Sequence, residues 1–268
     1  MKRLRILSLI LAGLFSGTVA NAATLTNGGF EGTLNPWNQI GNVTNPGLVT
    51  LTGGLGGALS PTEGDSQAVL RSNGGDPAAA NRFSILNFLS GLTDVADLNA
   101  FSGTSGLTGF ENSSVNEFGD LEGEFFTTGS AISQDSIDIT AGMKMSFDFA
   151  LATQEASSLF GATPQPDAAF LFADGEFHKL ALATEVTPPT LLFNQEVSDG
   201  YSAFEYTFQN SGPQTIALVV FNFDNSSAAT RLFVDNIEFA AVPLPATLPL
   251  FVAGLVGLGL VSRRRRTI

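Results

Sequence analysis

The chain has no cysteine, one histidine, one tryptophan and two tyrosines in 268 residues. Each shortage removes a kind of chemistry. Without cysteine there is no disulfide framework and no thiolate, so a folded domain here relies on its apolar core or on a metal held by oxygen. The single histidine, His178, leaves one imidazole for any Ser-His-Asp arrangement. It stands in Glu176-Phe177-His178-Lys179 beside a turn signal, where a surface position is expected. No G-x-S-x-G, P-loop or G-x-G-x-x-G opens a helix, which argues against an esterase nucleophile and against nucleotide chemistry.

Basic residues are scarce where the fold must be. Of 12 Lys and Arg, three sit at the start (Lys2, Arg3, Arg5) and four at the end (Arg263, Arg264, Arg265, Arg266). Five remain between them against all 25 acids, so that region carries a formal charge of −20 where the whole chain carries −13. Such a surface repels nucleic acid and anionic lipid, so no nucleic-acid partner is expected. It accepts neutral glycans, divalent cations or basic partners.

What the ends do contain is a route out of the cell. The basic n-region is followed by an apolar Leu4–Val19 and by Ala20-Asn21-Ala22, a small-x-small site for signal peptidase, which makes 1–22 a signal peptide. At the other end, no charge occurs over the 23 residues from Ala240 to Ser262, and a bilayer core needs roughly 20 in a helix. The predicted span is 246–262, and the four arginines at 263–266 behave as a stop. A Pro motif, Val242-Pro243-Leu244-Pro245-Ala246-Thr247, precedes it. Pro motif, span and arginine cluster in that order resemble the PEP-CTERM sorting signal of Gram-negative bacteria, with Leu244 where that family's motif usually has glutamate. The resemblance covers 242–268. It implies an inner-membrane exosortase as partner, cleavage near the motif, a transient membrane anchor, and release or re-anchoring at the cell surface in company with exopolysaccharide.

The 219 residues of 23–241 are enough for one sizeable core. Phenylalanine is abundant, and period-two alternation recurs between Gly, Asn and Ser punctuation. Met145, Phe147, Phe149 and Leu151 alternate in Lys144–Leu151; Phe204, Tyr206 and Phe208 alternate in the next such run; Ala217, Val219, Phe221 and Phe223 alternate in Thr215–Asp224. Residues Leu232–Phe239 carry apolar groups on both faces. Asp174-Gly175 predicts a tight hairpin between Ala169–Asp174 and Glu176–Ala183. Apolar spacings of three and four over 83–101 predict one or two short helices broken at Gly91, with Asp94 as an N-cap. Thr50–Ser60 and Ser102–Thr108 read as loops.

The domain opens on Asn27-Gly28-Gly29-Phe30-Glu31 with Trp37 following, and closes on Leu232-Phe233-Val234-Asp235-Asn236-Ile237. This pair of motifs resembles the jelly-roll, galactose-binding-like modules found among bacterial surface proteins and carbohydrate-binding modules. The central stretch from Gly129 to Glu155 resembles exported PEP-CTERM proteins of unassigned role. The resemblance implies a mostly β, jelly-roll-type β-sandwich with a short helical insertion, whose first and last strands pair. It also implies a structural Ca²⁺ near those strands, with Glu31 and Asp235 as carboxylates; the alternative is that both satisfy backbone amides.

Function is read on this basis as a non-enzymatic surface or matrix protein. The first alternative is a glycan-binding module using Trp37, Tyr201 and Tyr206, whose rings join a flat apolar face to a polar edge. Trp37, placed after Pro36, also reads as a core plug. The second alternative is a glycoside hydrolase or lyase using a carboxylate pair across a cleft. Close pairs such as Glu122/Glu124 and Asp135/Asp138 are expected by chance in so acidic a chain.

Overall fold

The computed structural model describes residues 25–52, 57–72, 80–91, 114–115, 121–122, 126–154, 167–186, 196–223 and 230–240. The predicted signal peptide, the sorting tail, the 92–101 half of the helical region with Asp94, and Glu124 lie outside them. Among the described residues no helix is long and apolar enough to cross a membrane.

In chain order the strands are β1 (Asn38–Ile40), β2 (Asn42–Thr44), β3 (Val49–Thr50), β4 (Ala58–Leu59), β5 (Ala68–Arg71) and β6 (Ala80–Asn81). After helix α1 (Arg82–Ser90) come β7 (Ser114–Val115), β8 (Leu121–Glu122), β9 (Phe126–Ile139), β10 (Lys144–Thr153), β11 (Ala168–Ala173) and β12 (Glu176–Leu182). The last are β13 (Val197–Ser198), β14 (Ser202–Thr207), β15 (Gly212–Phe223) and β16 (Thr230–Ala240). Two antiparallel six-stranded sheets hold most of them. The first runs β1-β9-β15-β11-β12 with β6 also beside β9; the second runs β13-β10-β16-β5-β2 with β14 also beside β10. The chain repeatedly crosses from one sheet to the other, as between β9 and β10, β10 and β11, and β15 and β16. Side-chain hydroxyls tie the sheets: Ser130 Oγ donates to Arg71 O at 2.6 Å and Thr128 Oγ1 to Ser72 O at 3.0 Å.

Alternation assigns the faces. In the first sheet the row Ile132, Leu218, Leu171 is buried towards the second sheet. The neighbouring row Ala131, Val219, Phe170 belongs instead to a cluster with Ile85, Leu86 and Leu89 of α1 and with Phe172, Phe177 and Phe221. Helix α1 is therefore packing on the outer face of that sheet. Its N-cap is Asn81, whose side chain accepts from Ser84 N, and Gly91 closes it in the left-handed region at φ 70°. Gly91 thus ends the helix, as its sequence position predicts.

The second sheet is covered as well. Its row Leu70, Leu232, Leu151 is buried towards the first sheet, while Val69, Phe233 and Ala150 cluster with Leu51 and Leu59. Leu51 follows β3 and Leu59 ends β4 of the small β3–β4 hairpin, in a stretch that reads as loop from sequence. The segment is Gly- and Thr-rich, so its strand character is not legible, and it is held by burial of two leucines against Phe233. Both outer faces being covered explains why β15 and β16 are apolar on both sides. The expected hairpin is present: β11 and β12 pair from Ala173↔Glu176, with Asp174 at φ 54° and Gly175 at φ 80°, the two positive φ values of a type I′ turn.

Candidate functional site

The two terminal motifs are brought together, but not by strand pairing. The first strand, β1, pairs with β9, and β16 pairs with β10 and β5. The link is one hydrogen bond, Ile237 N donating to Gly28 O at 3.0 Å. A register shift in β16 opposite Ser146/Asp148, with Asn236 at φ 53°, makes it available. Asparagine tolerates this left-handed conformation, and the extra residue takes Ile237 out of the ladder. An added Cβ on Gly28 would overlap the Ile237 carbonyl, so the opening glycine is a close-approach residue.

Before that bulge, alternate side chains of β16 point outwards and each holds part of the covering segment. Arg231 forms a buried ion pair with Glu196, which also accepts from Thr52 N at 3.0 Å. Phe233 packs under Leu51 and Leu59. Asp235, fully buried, accepts through Oδ2 from Thr62 N at 2.7 Å and Glu63 N at 2.9 Å. Glu31 reaches the same loop from the other end of the domain, accepting from Asp65 N at 3.0 and 3.2 Å. Glu31 and Asp235 thus meet on Thr62–Asp65 and take its amides, the alternative role stated above. Asn45 adds a further oxygen to this region. Its Nδ2 donates to Phe30 O at 2.9 Å, and its Oδ1 is buried without a partner. Among the described residues no group of three or more acidic or imidazole ligands gathers round one point.

The three candidate stacking residues have different partners. Trp37 is 3 % exposed, packs on Phe30 at 5.3 Å between centroids, and donates Nε1–H to Asn27 O at 2.9 Å. It is a core plug, and no sugar ring can reach its faces in this fold. Tyr201 packs with the β3–β4 cover, and its hydroxyl donates to Gln67 Oε1. Tyr206 is half-buried beside the β11–β12 hairpin, with the His178 ring 4.5 Å away, centroid to centroid. His178 is half-buried, its Nε2 3.1 Å from Ala173 O. Burial is the leading cause that pushes both tyrosines above their ordinary value; nearby carboxylates, Asp235 for Tyr201 and Asp174 for Tyr206, add to it.

Asp174 is the residue that sequence reasoning assigned only to a turn. Its Oδ2 accepts from Tyr206 Oη and Gln209 N, both at 2.7 Å, and its Oδ1 from Gln214 Nε2 at 2.8 Å and Asn210 N at 3.2 Å. Burial pushes this carboxyl up, but the four donors outweigh it and hold it below the ordinary aspartate range. The hub ties the hairpin of the first sheet to the turn that leaves β14 in the second. Beside it lies an open groove of about 470 Å³, lined by Asp174, Asn210, Pro213, Gln214 and Thr215 with Leu89–Ser90 of α1, and Phe172 beneath it is itself buried. The sequence signal was an Asp before Gly at a position needing φ > 0; nothing local shows that its carboxylate meets residues 32–40 positions away.

No protein-family model and no curated protein matches the chain. Solved structures give distant neighbours. TmCBM61 in complex with β-1,4-galactotriose has a TM-score of 0.33 at 11 % identity, over 83 % of this chain and 100 % of that one. The enzymatically active domain of bacteriophage CBA120 tailspike protein 4 also scores 0.33, at 12 % identity, over 82 % of this chain but 22 % of that one. A CBM4 structure scores 0.21 at 10 % identity, over 53 % and 83 %. At these scores the likeness carries no argument about ligand or activity, and the two-sheet architecture rests on the strand pairings themselves.

Proposed function

We propose that the chain is a non-enzymatic, exported protein of the cell surface or extracellular matrix, built on a jelly-roll-type β-sandwich and associated with extracellular polysaccharide. Signal peptidase cuts after Ala22, the apolar tail holds the chain in the inner membrane, and exosortase acts near Val242–Ala246. The observation that supports the reading is the use of the acidic side chains. Asp235, Glu31, Glu196 and Asp174 accept from amides and side chains of segments folded onto the sheets. A disulfide-free domain outside the cell gains rigidity from such ties. Mass spectrometry of the surface-bound or released form tests the route: the expected chain starts at Ala23 and ends near the Pro motif, and an intact Ile268 would remove the sorting reading. Appearance of shortened or unsaturated saccharides on incubation with purified polysaccharides would overturn the non-enzymatic one.

A glycan-binding role is the second reading, and the groove beside Asp174 favours it. Its volume falls within the 300–1,000 Å³ usual for ligand sites, and polar groups of Asn210, Ser211, Gln214 and Thr215 line it. A structural Ca²⁺ at Glu31 and Asp235 stays part of the proposal. Two carboxylates from opposite ends of the domain converge on one loop, and Asn45 Oδ1 supplies an unpartnered oxygen in the same region.

A further inference from the structure

Resting on the sorting reading above, we propose that the last three residues of β16, Glu238–Ala240, are a releasable end of the sandwich. Their parting from β10 is the step that hands the Pro motif to the membrane enzyme that cuts it.

β16 is held in two unequal parts. From Thr230 to Asp235 every residue is buried, and Arg231–Val234 pair with β5 on one side while β10 takes the other. Past the bulge the pairs are Ser146↔Glu238, Met145↔Phe239 and Lys144↔Ala240, and among the described residues no strand pairs on the opposite side. Glu238 and Ala240 are exposed there. Phe239 is half-buried and rests on the Phe208 ring, 5.8 Å between centroids. A firm boundary separates the two parts. Asn236 stands at φ 53°, and Ile237, 5 % exposed, donates its N–H to Gly28 O at 3.0 Å. Opening from the C-terminal end therefore breaks a one-sided ladder as far as Glu238. It stops at Ile237, where going further would expose a buried side chain and break the tie to Gly28.

The place of the Pro motif gives this end its consequence. Ala240 is the last ladder residue, and the motif begins two positions later at Val242. An enzyme that cuts near the motif takes the chain in extended form on both sides of the bond. With β16 fully zipped, the N-terminal side of that stretch runs at once into the sheet. Releasing Glu238–Ala240 adds about 10 Å of extended chain. Cleavage of a chain that must first open follows the population of the open form. Pairing on one side keeps that population small but accessible, and the bulge keeps opening away from Asp235 and the core.

Amide hydrogen exchange on the exported protein reads the release directly and needs no variant. Amides in Glu238–Ala240 that bond to β10 should exchange at least about a hundredfold faster than those of Leu232–Val234. Equal protection of the two parts overturns the proposal. A staple then links release to processing. Ser146 and Glu238 are directly opposite and both exposed, a spacing that a disulfide can span, and the chain has no native cysteine to compete. In cells, the oxidised Ser146→Cys, Glu238→Cys double variant should lose its tail at least about tenfold more slowly than the wild type. Reductant should restore the rate. A short Gly-Ser spacer inserted after Ala241 should also restore it with the staple closed, because the spacer supplies the length that release would have given. Tail removal at the wild-type rate from the oxidised variant, or a slow rate that the spacer leaves unchanged, overturns the proposal while the sorting reading stands. A wild-type chain that keeps Ile268 in cells overturns the sorting reading and the proposal with it. Should the staple disturb folding, the exchange measurement on the wild type decides alone.

Discussion

Tyr201 and Tyr206 are the only tyrosines, and each phenol is raised, by burial first and by carboxylates second. A raised folded value means that the native state favours the protonated phenol. The stability this gives is complete below the ordinary value near 10 and is lost as pH climbs through the folded values. Ultraviolet titration should therefore show no tyrosinate until alkaline unfolding, with both phenols ionising together. A phenol titrating near its ordinary value in the folded protein would contradict the burial described. Gly64 is a second residue-scale test. It sits at φ +58°, and a Cβ there would overlap the Glu31 carboxylate. Gly64→Ala should cost about 2–3 kcal/mol, from left-handed strain plus loss of the Glu31–Asp65 contact. Denaturant unfolding measures it, and a neutral effect would mean that the loop is not held as described.

At the scale of the element, β16 does two jobs. Inward it supplies Leu232 to the core, and outward Arg231, Phe233 and Asp235 fasten the segment that covers the second sheet. The Arg231–Glu196 pair is nearly inaccessible, with side chains 6 % and 3 % exposed. Removing one partner strands a buried charge, so Arg231→Met should destabilise by about 3–5 kcal/mol. Adding Glu196→Gln neutralises the stranded charge and keeps an acceptor for Thr52 N, so the double variant should recover most of the loss. If it does not, the pair is more exposed in solution than its geometry implies. Helix α1 has the corresponding role on the first sheet. Sequence spacing finds the helix because its leucines recur on one side, and Gly91 marks its end. That it is a cover and one wall of a groove depends on Phe170, Phe177 and Phe221, which arrive from distant strands.

For the whole molecule the question is what replaces disulfides. The answer in the described residues is a four-layer arrangement of helix, sheet, sheet and hairpin, tied by carboxylate–amide bonds. A calcium ion on Glu31 and Asp235 would add to these by binding the folded state alone. Thermal melting with and without EDTA reads this directly. The calcium proposal expects a lower midpoint with EDTA that excess Ca²⁺ restores; an unchanged midpoint leaves the two carboxylates as amide acceptors only.

Period-two alternation is a local property of the chain. It sufficed to place β10, β14, β15 and β16, and the Asp174-Gly175 hairpin follows from the steric needs of its turn. Composition alone determined the acidic balance, the absence of thiol chemistry and the shortage of imidazole. Contacts between residues far apart in sequence were decided only by tertiary structure. Whether Trp37 is a stacking platform or a plug depends on Phe30 and on the Asn27 carbonyl. Whether Glu31 and Asp235 meet depends on a loop at Thr62–Asp65, since the first and last strands do not pair. That Asp174 is more than a turn residue depends on Tyr206, Gln209, Asn210 and Gln214, which the second sheet and its connection bring within hydrogen-bonding range. A carboxylate's role is set by the donors around it, and in a sandwich whose chain keeps crossing between sheets those donors come from elsewhere in the sequence.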